Sequence, residues 1–248
     1  MRKVLVLFSL ILLISCSNNQ ELTTDSNTIV ASSMTYTATE DYGNFNNIYR
    51  QQYAFDIEGK VISETFTNYM NPQFNYISKF EYNSQGKLVK EIKNGQLLSS
   101  IIWNGNVAEL YNNLNQKTSE FIFNNEQLME YNYGYNTGSI QNHKYNYDSN
   151  GNVISEEHQN EVFVEYLNYN TNLSNPLNLI KSIGILRLSY NPYFKNFFET
   201  EKAYPYNGED YLFPLTYYGY QNTVDSSNRI ITLTDDKTLI YKSKFEYN

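Results

Sequence analysis

The chain has 248 residues, with 18 basic against 26 acidic side chains and a net charge of −8. That balance leaves no basic stripe to gain counterion release from a phosphate backbone, so it argues against a nucleic-acid partner. With 25 tyrosines and 36 asparagines, the composition favours short half-buried strands joined by tight turns.

The first element is a targeting segment. Arg2 and Lys3 precede an apolar run from Val4 to Ile14 that is broken only by Ser9. About a dozen residues are too few for a membrane-spanning helix, which needs roughly 20, but they suit a signal-peptide core. Leu13-Ile14-Ser15-Cys16 resembles the lipobox of bacterial lipoproteins. The resemblance implies cleavage before Cys16 and a lipid on its sulfur, and two or three acyl chains give a stable hold on a membrane. Cys16 is the only cysteine, so no disulfide can form within the chain. The expected layout is a signal peptide over 1–15, a lipidated cysteine and flexible polar tether over 16–33, and one β-rich domain over 34–248. The expected location is the cell envelope, as an outer-membrane lipoprotein.

A repeat follows the tether. Tyr145-Asn146-Tyr147-Asp148-Ser149-Asn150-Gly151-Asn152-Val153 can be laid over the stretches starting at Tyr53 and at Phe80. The shared template is aromatic-x-aromatic-Asp/Asn-x-x-Gly-x-Val/Leu. Weaker copies start at Ile101 and Phe121, and a late one runs from Val224 to Ile230. Aromatic-x-aromatic puts both rings on one face of a strand. The Asp or Asn side chain can bond the backbone two residues on, and Gly accepts positive φ, so each unit reads as a hairpin. The turn residues are Asp56 and Gly59, Asn83 and Gly86, and Asp148 and Gly151. A calcium loop would need glycine at the sixth position and an acidic residue at the twelfth. Counted from Asp148, glycine is fourth and the twelfth residue is Gln159, so plain turn chemistry is the better reading.

At these residues the sequence resembles the YD-repeat group of bacterial cell-envelope proteins, over residues 53–166 and 217–248. With so few copies, the resemblance implies an envelope β-sheet domain, not the closed shell of the long toxin-delivery proteins. The expected fold is all-β: an antiparallel hairpin meander, forming an open curved sheet, with a small helical insert near 176–200.

That insert, placed within 174–210, opens at Ser174-Asn175-Pro176, where proline suits a first helical turn. Leu177, Ile180, Ile183 or Gly184, and Leu188 fall near helical spacing, although Ile183, Ile185 and Leu186 also suit a buried strand. Tyr193 to Phe198 is a second short amphipathic candidate, and Asn207-Gly208-Glu209-Asp210 a further turn. The insert is expected to cover one face or end of the sheet, since a meander with one apolar face must bury it.

Catalytic signatures are absent from the sequence: it holds no nucleophile elbow, zinc-protease motif, phosphate-cradling loop or dinucleotide fingerprint. The two histidines, His143 and His158, flank one repeat copy and read as surface residues, with neither a metal nor a cofactor implied. Adjacent carboxylates such as Glu156-Glu157 and Asp235-Asp236 point to opposite faces of a strand and read as solvated charge. The remaining handle is aromatic excess. Tyr131, Tyr133 and Tyr135, with Tyr217, Tyr218 and Tyr220, form a candidate binding face; for most tyrosines the ordinary aromatic core of a sheet is the stronger reading. The expectation is a lipid-anchored, non-catalytic protein in a binding or scaffold role, contacting the membrane through its anchor and a glycan or protein through a tyrosine-rich sheet face. The alternative is a glycan-active, carboxylate-based hydrolase without a local motif, which converging carboxylates or paired histidines in a pocket would favour.

Overall fold

A computed structural model describes residues 33–41, 46–188, 193, 195–204, 216–227, 229–235 and 241–247. Cys16, the signal peptide, the tether up to residue 32 and the Asn207–Asp210 turn lie outside the described residues. The strands are β1 (Ser33–Asp41), β2 (Asn46–Phe55), β3 (Val61–Asn68), β4 (Tyr76–Tyr82), β5 (Leu88–Lys93), β6 (Gln96–Asn104), β7 (Val107–Asn112) and β8 (Lys117–Asn124). They continue as β9 (Gln127–Tyr133), β10 (Gln141–Tyr147), β11 (Val153–His158), β12 (Glu161–Ser174), β13 (Asn196–Ala203), β14 (Thr216–Val224), β15 (Ile230–Asp235) and β16 (Tyr241–Tyr247).

Each strand pairs antiparallel with its neighbours in sequence, which is the hairpin meander the repeats predict. The sheet does not stay open. β1 pairs with β16, with Tyr36 opposite Phe245, so the meander closes into a barrel. Closure removes both edges, whose unpaired amides and carbonyls would otherwise invite aggregation.

Alternation decides what faces where. Buried Phe80, Ile101, Phe121, Leu128 and Tyr53 point inward into one apolar core. Lys79, Glu81 and Lys90 point outward, with Lys90 and Glu81 paired at 2.9 Å. Lys117 bridges Glu109 at 2.8 Å and Glu120 at 2.6 Å on the same outer surface. The outer surface also carries exposed Ile62, Ile77, Ile102 and Ile154, and buried Gln51, Glu64 and Glu91 stand among the apolar residues of the interior.

The turns reveal a stricter code than the template. Asp56 Oδ1 accepts from the amides of Glu58 and Lys60, both at 2.9 Å, and Gly59 closes the turn at φ +78°. Asn83 accepts from Gln85 and Lys87, and Asp148 from Asn150 and Asn152, in the same geometry. Burial would raise the Asp148 carboxyl, but the amides of Asn152, Asn150 and Gly151 and the Asn152 side chain hold it below its usual range. Asp225 makes the same pair of bonds to Ser227 and Arg229. A further copy escapes the template: Asn112 accepts from Leu114 and Gln116, with Asn115 at φ +58° in the glycine place. The weak copies at 101 and 121 instead turn in two residues, at Gly105-Asn106 and Asn125-Glu126.

Successive units are clasped together. The second aromatic of a unit donates to a carbonyl of the unit before it: Tyr82 to Val61 at 2.7 Å, Trp103 to Leu88 at 2.7 Å, Tyr147 to Leu128 at 2.7 Å and Tyr247 to Ile230 at 2.8 Å. Tyr169 grips Val153 in the same way. Each acceptor is a buried apolar residue just before a register shift in its own hairpin. The bulge withdraws its carbonyl from the regular ladder, and the neighbouring ring supplies the missing donor.

Because the chain meanders, its turns alternate between two ends. The four five-residue turns at Asp56, Asn83, Asp148 and Asp225 share one end with Gly105-Asn106, Asn125-Glu126 and the segment between β12 and β13. That segment contains a 3₁₀ helix, Pro176–Leu186, shorter in reach than the expected helical insert. Asn175 caps it by accepting from the Leu177 amide at 3.1 Å, with Pro176 following. Ile183 breaks the helix at φ −112°. Ile180, Ile183 and Ile185 are buried in the barrel core, so the insert plugs this end. The second helical candidate is a correction: from Asn196 the chain is already in β13, because Phe197 and Phe198 bury against Asn170 and Tyr169 of β12. Among the described residues no helix is long and apolar enough to cross a membrane.

Candidate binding cleft

A cleft of about 490 Å³ opens at the plugged end, between the turns and the 3₁₀ segment. Its walls are the turns at Glu58–Lys60, Gln85–Lys87, Asn106 and Glu126, and its plug side carries Lys181, Ser182, Ile185 and Tyr193. The floor is aromatic. Trp103 and Phe123 meet at 5.5 Å between centroids, and Phe123 meets the edge of Tyr193 at 5.8 Å. Ser182 fastens the plug to this wall: its Oγ accepts from the Val61 amide at 3.0 Å and lies 3.2 Å from the Tyr82 oxygen, to which its own hydroxyl can donate, since the Tyr82 proton goes to the Val61 carbonyl. Burial pushes the Tyr82 hydroxyl up to about 12, so it acts as a donor throughout the physiological range.

Three lysines edge the cleft. Lys60 pairs with Glu58. Lys181 lies 3.4 Å from Glu126, whose side chain is 86% exposed, so the pair is weak. Lys87 sits 4.5 Å above the Trp103 ring and donates to the Gly105 carbonyl at 2.7 Å. Among the described residues no carboxylate lies within ion-pair distance of it. Lys60 and Lys87 occupy the same turn position, directly after the glycine, a recurrence legible in the sequence.

The other sequence-singled residues lie elsewhere. Asp56, Asn83 and Asp148 spend their side-chain oxygens on turn amides. Tyr131 and Tyr133 are brought together, stacked at 5.1 Å, but half-buried, with Tyr131 also stacked on buried Phe121 at 4.9 Å. Tyr135 lies under the Lys117 ammonium at 4.4 Å. The backbone of Tyr217, Tyr218 and Tyr220 runs in β14, and their side chains are outside the described residues.

The two histidines are not surface residues on open strands. They face each other across β10 and β11, with rings 4.4 Å apart, and His143 Nδ1 lies 2.5 Å from Glu156. The two-residue turn at Gln159-Asn160 sets this register and turns the pair toward Tyr131, Tyr133 and Phe163. Among the described residues no group of three or more His, Cys, Asp or Glu side chains is arranged to hold a metal ion.

Two carboxylates do converge, deep in the barrel. Glu64 and Glu91 are fully or nearly fully buried, and Arg187, just past the 3₁₀ segment, bonds both. Gln51 and Tyr76 donate to Glu64 at 3.0 and 3.2 Å, and Ser78 donates to Glu91 at 2.8 Å. Burial works against the Arg187 charge, but the two carboxylates outweigh it and hold the guanidinium firmly protonated. Both oxygens of Glu64 and Oε1 of Glu91 thus accept from the chain's own donors. The sequence could not show this network, since its members lie 123 and 96 residues from Arg187.

No protein-family model and no curated protein sequence matches the chain. Among solved structures it is similar to a porin-like protein from Bacteroides uniformis, at 8% identity and TM-score 0.45 over 88% of this chain and 98% of that one. It is also similar to a porin-like protein from Bacteroides vulgatus, at 11% identity and TM-score 0.39 over 86% and 97%. Part of a TcdB2–TccC3 structure is similar to it at 14% identity and TM-score 0.25, over 79% of this chain and 12% of that one.

Proposed function

We propose that this is a lipid-anchored, non-catalytic binding protein of the bacterial envelope, which takes its ligand in the plugged-end cleft. The observation that carries the reading is the cleft itself, an aromatic floor of Trp103, Phe123 and Tyr193 edged by lysine, glutamate and amide side chains. Apolar pockets with a few convergent polar groups are the usual form of a ligand site. The lipobox-like Leu13–Cys16 stretch and the polar tether support the anchor, and charged pairs such as Lys90–Glu81 and Lys117–Glu109 on the strands support a domain held beside a membrane rather than in it. In this reading the aromatic floor of Trp103, Phe123 and Tyr193 takes the place of the tyrosine face expected at Tyr131, Tyr133, Tyr135, Tyr217, Tyr218 and Tyr220.

Trp103 is the only tryptophan, so its emission reports the cleft directly. Titration with a panel of soluble glycans and peptides is expected to shift or quench that emission saturably for one class. A flat response throughout, with calorimetry equally silent, sinks the binding reading. Cys16→Ala is expected to release the protein from the membrane fraction; retention of the variant in that fraction removes the anchor.

A further inference from the structure

Resting on the cleft as the ligand site, we infer that its ligand is a saccharide carrying a carboxylate. The chain as a whole repels anions, with a net charge of −8. In the cleft three lysines meet two glutamates, Glu58 and Glu126, which leaves one ammonium, that of Lys87, without a carboxylate partner. Lys87 has a ring and a carbonyl for neighbours, and Lys181 has only a distant, solvent-screened partner. A cation held over an aromatic face and not neutralised is positioned to meet an anion that also stacks on rings. A free inorganic anion would use the lysines and ignore Trp103, Phe123 and Tyr193. A neutral sugar would use the rings and leave Lys87 with no counter-charge. A sugar acid uses both, and the amide side chains of Asn106 and Gln85 on the same walls can bond its hydroxyls.

The backbone supports placing charge here. Lys60 leans across Gly86, whose missing side chain leaves it room: a Cβ there would lie 2.8 Å from Lys60 Nζ. The ammonium of one unit is thereby carried over the turn of the next, toward the Lys87 side of the cleft.

The test uses the purified full-length protein, Trp103 emission and calorimetry, with three probes: an oligogalacturonate, the matching neutral galactose oligosaccharide and inorganic phosphate. The expected result is that the oligogalacturonate binds at least tenfold more tightly than the neutral sugar, and that rising salt erodes the difference. Lys181→Gln, which removes a half-exposed ammonium at the edge of the cleft, is expected to weaken the acidic sugar severalfold and the neutral one by a clearly smaller factor. Adding Lys87→Gln is expected to bring the loss to tenfold or more. Equal binding of acidic and neutral sugars overturns the charge inference while the cleft reading stands. Phosphate binding as tightly as the oligogalacturonate overturns the saccharide class. Silence with all three probes overturns this inference, and the cleft reading falls only if the wider glycan and peptide panel is silent too.

Discussion

The Tyr147 hydroxyl donates to the Leu128 carbonyl at 2.7 Å, tying β10 to the start of β9 across 19 residues of chain. The bond exists because the register shift beside Phe123 takes Leu128 out of the regular ladder. Removing the hydroxyl strands a buried carbonyl while leaving the ring in place. Tyr147→Phe is therefore expected to cost about 1–2 kcal/mol, a fall of a few degrees in Tm by calorimetry. Trp103 fills the same slot in its own unit, donating to Leu88. Phe123 occupies the corresponding slot without a donor, so Phe123→Leu should lose only packing. A Tyr147→Phe protein as stable as the parent would show that the clasp is geometric rather than energetic.

Gly86 and Asn115 hold the same place in two turns, at φ +74° and +58°. A side chain at Gly86 must adopt the left-handed region, at about 1–2 kcal/mol, and must also push Lys60 aside. Gly86→Ala is expected to destabilise by about 2 kcal/mol or more, whereas Asn115→Gly should change stability by less than about 1 kcal/mol. Urea denaturation of the two variants measures both. An equal loss in the two would mean that backbone strain does not govern these turns.

The meander was legible because its determinants are local. A period-2 aromatic pattern and an Asp or Asn three residues before Gly both act within one hairpin, and both survive into the folded chain. Closure was not legible, since nothing in Met34–Glu40 names Tyr241–Tyr247 as its partner except a shared strand pattern. The helix near 176 was readable from Asn175-Pro176, but its end was not. Phe197 and Phe198 look amphipathic in sequence, and only β12 alongside them decides that they extend. The cleft was the least readable feature. Lys87 and Lys181 meet through the return of the insert across the barrel end, after almost a hundred intervening residues.

Arg187 carries the single positive charge that bridges buried Glu64 and Glu91. Removing one partner of such a network leaves an uncompensated buried charge, at about 3–5 kcal/mol. Arg187→Met keeps most of the volume and is expected to show that loss in equilibrium unfolding. Adding Glu64→Gln and Glu91→Gln removes the stranded charges and is expected to restore much of it. If Arg187→Met costs under about 1 kcal/mol, water reaches the carboxylates and the interior is not sealed.

His158 ties stability to pH. Burial comes first, and then the His143 ring beside it, in holding His158 below its ordinary value of 6.5, while Glu156 pulls weakly the other way. The unfolded chain then binds a proton more readily than the folded one. Stability accordingly rises with pH across this window, and is lost as pH falls from about 6.5 toward the folded value. The groups facing His158 are His143 on β10, Glu156 on its own strand, the Phe163 ring, and Glu161 opposite it on β12. Carboxylates of ordinary pKa titrate near 4, so unfolding measured between pH 5.5 and 7.5 isolates the imidazole part. His158→Phe keeps a ring against His143 and Phe163 and is expected to flatten the dependence in that interval, while leaving stability at pH 7.5 within about 1 kcal/mol of the parent. An unchanged slope in the variant would place the proton uptake on another group and remove His158 from the account.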